Sequence, residues 1–456
     1  MSKRNFILLI LILVFVVAGV FGFLYLRSGT TPVDVVSDGT NFLSQFNPFS
    51  SDNTNESTNG KTAVDINGDG VLSEEEISLS LKLKKISSIP IAGFAVFSKE
   101  RLKDVPTPAP VEPTPQTQTE GDVATTPKTV KKPAVKAVAP ATEFAQAVRY
   151  VEKSTGNIYQ TFTDKIEERR FSETIIPKIY DAYFGNNGQS VVMRHLKSDE
   201  ATIETFSGTM PKEKVGEDLT DPNVKGYFLV DNIKDISVSP DNSKIFYLSN
   251  FGESTIGTIM GLNDGKKVQV FDSAFTEWNS FWPNNNIITL TTKPSGEVAG
   301  QMYMLDVVKK TFSRILGNIN GLTTLMSPNG KLVLVGNKDL SLYLYNTDTK
   351  VYVTLGVKTL PEKCTWNKNS EFIYCAVPAY IDDYLYPDDW YRGEVSFSDQ
   401  IWKINIVDGS TNILTDPLLI PGGEDIDGTK LALDANEDYL FFINKKDSFL
   451  WELGLR

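Results

Sequence analysis

The stretch V-S-P-D-N-S-K-I-F-Y-L, Val238 to Leu248, reads as the end of a strand, a tight polar turn, and a second strand of β-branched and aromatic residues. The phrase returns in altered form. F-W-P-N-N-N-I-I-T-L begins at Phe281 and M-S-P-N-G-K-L-V-L-V at Met326; T-W-N-K-N-S-E-F-I-Y-C begins at Thr365 and L-D-A-N-E-D-Y-L-F-F-I at Leu433. A fainter copy, Y-F-G-N-N-G-Q-S-V-V-M, begins at Tyr183. Pro240, Pro283, Pro328 and Asn367 follow one another at steps of 43, 45 and 39 residues. One strand-turn-strand unit per step of that size is the pattern of β-propeller blades. Six such units and a hairpin over Val148 to Phe162 make seven blades the expectation. The last unit, Leu431 to Leu455, supplies only inner strands, and the first lacks an innermost one. Joining strands from the two chain ends would complete both and leave no exposed edge.

The S-P-D-N turn (Ser239, Pro240, Asp241, Asn242) and the S-P-N-G turn (Ser327, Pro328, Asn329, Gly330) resemble those of TolB-type, WD-repeat-like propellers. The resemblance covers 144–456, which is read as the propeller head. Trp282-Pro283, Trp366-Asn367 and Asp434-Ala435 depart from the pattern. It implies blades and says nothing of a ligand, because propellers host unrelated functions.

Residues 1–27 read as a transmembrane signal anchor. Phe6 to Leu26 is a 21-residue run without a charge, preceded by Lys3 and Arg4 and followed closely only by Arg27. About 20 apolar residues cross a bilayer as a helix, and the positive flank places the N-terminus in the cytoplasm with the bulk of the chain outside it. Residues 28–62 form a flexible polar linker, and 103–143 a Pro/Thr/Ala-rich linker that favours polyproline II and would act as a spacer.

Between the linkers, 63–102 read as a short loop-helix module. D-I-N-G-D-G-V-L-S-E-E-E resembles the calcium loop of EF-hands and dockerins. The resemblance implies Ca2+ held by the side chains of Asp65, Asn67 and Asp69, the carbonyl of Val71, Ser73, and a bidentate Glu76, with Gly70 at the sharp turn. Glu74 to Ile86 reads as the exiting helix. No entering helix is visible and there is a single copy, so the resemblance is to a loop-helix half. A surface turn rich in Asp and Asn fits the same residues.

The net charge of −12 and pI near 4.9 exclude nucleic acid as the main partner. His195 is the only histidine, which excludes multi-histidine zinc sites, and no nucleophile elbow, P-loop or dinucleotide fingerprint is present. Cys364 and Cys375 flank the Thr365 turn symmetrically, so paired strands would place them opposite one another. A cross-strand disulfide and two buried thiols are both consistent with that spacing.

The interval from Asn367 to Ala435 is 68 residues, so one blade carries an insertion, Pro378 to Asp399. Insertions in repeat folds map to loops, often on the binding face. Tyr384, Tyr386, Asp388, Asp389, Trp390 and Tyr391 combine aromatic and acidic groups suited to stacking on a glycan or capturing a cationic peptide. A loop that folds its aromatics back onto the blade is the competing expectation. The functional expectation is a membrane-anchored, calcium-binding surface protein whose propeller binds or scaffolds an unknown protein or glycan. Its alternative is a propeller glycoside hydrolase or lyase, which would need acids converging on the central channel.

Overall fold

A computed structural model describes residues 83–103, 141–216, 221–420 and 423–456. The anchor at Phe6 to Leu26 and the calcium loop at Asp65 to Glu76 lie outside the described residues. No helix among the described residues is long and apolar enough to cross a membrane.

Seven four-stranded antiparallel sheets form the fold. Blade 1 is Ile91–Leu102, Thr142–Glu152, Ile158–Phe162 and Arg169–Arg170. Blade 2 is Ile179–Gly185, Ser190–Leu196, Ile203–Thr209 and Lys225–Phe228; blade 3 is Ile233–Val238, Lys244–Phe251, Ser254–Gly261 and Lys267–Ser273. Blade 4 is Trp278–Asn284, Ile287–Thr292, Ala299–Asp306 and Thr311–Asn320; blade 5 is Thr323–Met326, Leu332–Gly336, Ser341–Asn346 and Tyr352–Lys358. Blade 6 is Cys364–Trp366, Phe372–Pro378, Asp399–Asn405 and Thr411–Thr415. Blade 7 takes Gly428–Leu433, Tyr439–Asn444 and Leu450–Gly454 from the C-terminus and its outer strand, Leu83–Lys85, from the other end of the described chain.

The quoted phrase is the turn between the first and second strands of a blade, and one hydrogen-bond pattern explains its variants. Ser239 Oγ accepts from Lys244 N (2.9 Å), Ser327 Oγ from Leu332 N (3.0 Å), Asn367 Oδ1 from Phe372 N (2.9 Å) and Asp434 Oδ1 from Tyr439 N (2.7 Å). Three residues after each acceptor the backbone is left-handed, at Asn242, Gly330, Ser370 and Glu437 (φ 56–73°). The turn thus demands a short oxygen-bearing side chain first and tolerates variation at the rest.

Strand periodicity explains why the second strands are apolar without alternation. In blade 3, Ile245 packs into the core shared with blade 2, while Phe246 packs into the core shared with blade 4. Both faces of every blade are covered, so both sets of alternating side chains must be apolar. The result is one core between each neighbouring pair of blades. The one between blades 7 and 1 contains Ile86, Ile91, Val148, Tyr150, Phe441 and Leu450.

Three expectations are corrected. The propeller begins at Leu83, not at 144, because Leu83 pairs with Leu453 and Lys85 with Trp451. The exiting helix cannot run from Glu74 through Ile86, since its last residues form that strand. The Pro-rich stretch does not separate a stalk module from the head. Its flanks are paired strands of blade 1, Leu102 opposite Thr142, with Lys103 N donating to Ala141 O (3.0 Å). The missing innermost strand of blade 1 is Ile91–Leu102, whose apolar start, I-A-G-F-A-V-F, is core.

At the closing seam Glu452 lies opposite Lys84 and is 1 % exposed. Burial, helped by Asp434, pushes its carboxyl up to about 7 against the opposing pull of Lys84. The native state therefore holds this proton more tightly than the unfolded chain. Its contribution is full below about pH 4.5 and is lost as pH rises through 7. Glu452→Gln should remove that decline, stabilising the protein at pH 8 by up to about 3 kcal/mol while changing little at pH 4. Urea unfolding across this range measures it.

Candidate functional site

The first strands of the blades line the central channel, and bulges at their starts aim particular residues into it. In blades 1, 2 and 3 the register slips after Ile91, Ile179 and Ile233, which brings Gly93, Asp181 and Asp235 to equivalent positions. Blade 7 slips between Thr429 and Ala432, with Lys430 left-handed at φ 51°. An added Cβ at Gly93 would collide with the Ala182 carbonyl, so blade 1 has no room for a side chain there.

A cavity of about 480 Å3 occupies this end of the channel. Asp235, Ser280, Thr291, Thr324, Glu362 and Tyr391 line it, together with Asn279, Phe281 and Lys430. Lys430 is its lining cation among the described residues, and it is committed: Nζ donates to Asp181 and to Ala92 O (3.0 Å). Asp181 also accepts from Tyr183 Oη (2.6 Å) and Arg194 Nη1 (3.2 Å). Burial alone would raise its carboxyl, but Lys430, Tyr183 and Arg194 hold it below the usual range.

Asp235 and Glu362 behave in the opposite way. Asp235 is half-buried and Glu362 is exposed toward the channel, yet the protein packed around each raises both carboxyls. Asp235 accepts from Ser280 N, and Glu362 accepts from Tyr391 Oη. Burial and the Glu362 charge push the Tyr391 hydroxyl well above its ordinary value, so it remains a donor. The cavity thus presents hydroxyls, amides and two carboxylates with raised affinity for a proton, and its lining cation among the described residues is neutralised.

The insertion covers one side of the mouth. Only Tyr391 of its six singled-out residues lines the cavity. Tyr386 and Trp390, each 4 % exposed, pack with Leu340, Leu360 and Phe397. Asp388 accepts from Gly296 N of blade 4 (2.6 Å), and Asp389 accepts from Leu385 N (2.8 Å) and pairs with Arg392. Tyr384 is half exposed and does not line the cavity. The aromatics therefore fold back onto the blades, and the helix Asp388–Arg392 delivers Tyr391 to Glu362.

A buried ion triad holds the insertion down. Lys363, wholly buried, donates to Asp399 Oδ2 (2.7 Å), Asp427 Oδ1 and Gly428 O (3.1 Å). Asp427 Oδ2 also accepts from Trp390 Nε1 (2.9 Å), Ser396 Oγ (3.0 Å) and Phe397 N (3.1 Å). Burial raises the Asp399 carboxyl to about 6, which Lys363 opposes and the Asp427 charge reinforces. Cys364, the next residue, is bonded to Cys375 directly opposite, with Cα atoms 4.0 Å apart.

Asp181, Asp235, Glu362 and Lys430 were not among the residues singled out from sequence. A weak signal existed in the parallel phrases Ile179-Tyr180-Asp181 and Ile233-Lys234-Asp235, each opening a blade. No group of three or more His, Cys, Asp or Glu able to hold a metal occurs among the described residues. Lys363→Met should leave two buried carboxylates uncompensated and cost about 3–5 kcal/mol, measured by urea unfolding at pH 7.

No family model and no curated protein matches the chain. Among solved structures it is similar to the crystal structure of an oligogalacturonate lyase from Vibrio parahaemolyticus, at 9% identity and a TM-score of 0.45, covering 68% of this chain and 86% of that one.

Proposed function

We propose that this chain is a single-pass membrane protein, N-terminus cytoplasmic, whose extracytoplasmic propeller binds a neutral or cationic glycan at the channel mouth. The observation that supports this most is the lining: hydroxyls and amides, two carboxylates in no ion pair among the described residues, and an aromatic rim of Phe281 and Tyr391. Hydroxyl-bearing ligands are recognised by such groups, whereas a polyanion would meet Asp235 and Glu362. Nothing in the acidic chain favours nucleic acid. Isothermal calorimetry with neutral and amino-sugar oligosaccharides should give one site, weakened about tenfold or more by Asp235→Asn or Glu362→Gln. Binding indifferent to both substitutions would sink the channel reading.

One observation favours a second reading, a glycoside hydrolase or lyase. Asp235 and Glu362 face one cavity and both carboxyls are raised, as a general acid requires. Mass analysis of the same oligosaccharides decides between the readings. Cleavage lost in Glu362→Gln supports the enzyme, and intact ligand after prolonged incubation supports binding alone.

The loop from Asp65 to Glu76 is, in this proposal, a calcium site: Asp65, Asn67, Asp69, Val71, Ser73 and Glu76 supply the oxygen donors a hard cation needs. Calorimetric titration of the full chain in detergent should show one site of millimolar or sub-millimolar affinity, absent from an Asp65→Ala, Glu76→Ala variant. No heat at several millimolar calcium would reduce the loop to a polar turn.

A further inference from the structure

The inner strand of blade 1 has 12 residues, against three to seven in the other blades, so it runs past the turn end of its neighbours. Beside its far half opens a cavity of about 650 Å3, away from the channel site. Lys99 and Arg169 line it, Arg149 lies behind its wall, and all three meet one lining carboxylate, Glu213. Lys99 Nζ donates to Glu213, Arg169 Nη1 donates to Glu213 Oε1 (2.8 Å), and Arg149 Nη2 lies 3.9 Å from Glu213 Oε2.

Arg149 is the unusual member. It is wholly buried, its guanidinium 3.9 Å from the Phe171 ring centroid and 5.0 Å from that of Phe97. Nε donates to Gln160 (2.9 Å) and Nη1 to Gly188 O (2.6 Å), but Nη2 donates no hydrogen bond among the described residues. Burial lowers the Lys99 ammonium and takes the Arg149 guanidinium down to about 10, against the pull of Glu213. The other lining acids are engaged elsewhere: Glu100 by Thr142, Glu167 by Lys165, and Glu168 by Ser88 and Tyr150. Buried charge is stable when paired, and here one carboxylate serves three cations. That carboxylate reaches across from blade 2, on the connection between Ile203–Thr209 and Lys225–Phe228.

We propose that this cavity is an oxyanion-binding site, in which Glu213 is a tethered stand-in for a carboxylate or phosphate group supplied by a ligand. Arg169 offers a guanidinium at the cavity wall, Lys99 adds a point charge, and the unpaired Nη2 of Arg149 lies directly behind the carboxylate that a ligand would replace. A tethered carboxylate competes at an effective concentration of order millimolar, so simple anions displace it poorly from the wild-type protein.

The test follows melting temperature of the full chain in detergent while inorganic phosphate or glucuronate is added, with potassium chloride at matched ionic strength as control. Glu213→Gln should melt below wild type and recover saturably with at least one of the two anions. Its half-saturation should fall about tenfold or more below any effect on wild type. Recovery with phosphate alone or glucuronate alone identifies which oxyanion the site takes. Adding Arg169→Gln should weaken the recovery about fivefold or more. Glu213→Asp keeps the charge but draws it back, and should show an intermediate gain even if the glutamine variant does not fold. Melting curves of both variants that ignore the two anions, or answer equally to chloride, would overturn the proposal.

Discussion

Ring closure is the constraint on which everything else depends. Each blade buries both faces, so each needs two neighbours, and a linear row of blades would leave two apolar faces bare. The chain meets this by pairing Leu83–Lys85 with Leu450–Gly454, strands separated by most of the described sequence. That pairing completes blade 7 and, through Ile86 and Ile91, the core it shares with blade 1. The same geometry explains the placement of the Pro-rich stretch. It leaves and re-enters between adjacent strands of blade 1, so its length is not expressed as distance between two parts of the molecule.

The channel site inherits its character from closure and from one buried triad. Bulges at the starts of inner strands bring Asp181, Asp235 and Lys430 toward the same axis, although they lie on blades 2, 3 and 7. Lys430 neutralises Asp181, while Asp235 keeps only hydrogen bonds. On the opposite flank, Lys363 with Asp399 and Asp427 fixes Trp390, and Trp390 in turn sets where Tyr391 meets Glu362. The insertion therefore acts on the site through one tyrosine hydroxyl and a packed underside.

Much of the scaffold was legible because its signals are local. The turn at Ser239 needs an oxygen acceptor and a left-handed residue three positions on, and both requirements recur at Ser327, Asn367 and Asp434 with different residues. The site was less legible. Tyr386 and Trp390 look like ligand-stacking groups by composition but are core, because a loop this apolar gains more by covering Leu340 and Leu360 than by facing water. Asp235 and Glu362 were invisible as a pair because a ring places side by side residues with no fixed spacing in sequence.

The sequence alone determined the repeat, the turn chemistry, the apolar strands and the place of the insertion, since each depends on contacts within a few tens of residues. It also pointed to closure by the two ends. Which upstream residues do the closing was decided only by the tertiary structure. Leu83–Lys85 is too short to declare itself a strand, and only its pairing with Leu453, Glu452 and Trp451 makes it one. The same holds for the charge state of the channel. Asp181 with Lys430 beside it and Asp235 without such a partner are identical letters in similar burial, separated by partners that only the closed ring brings together.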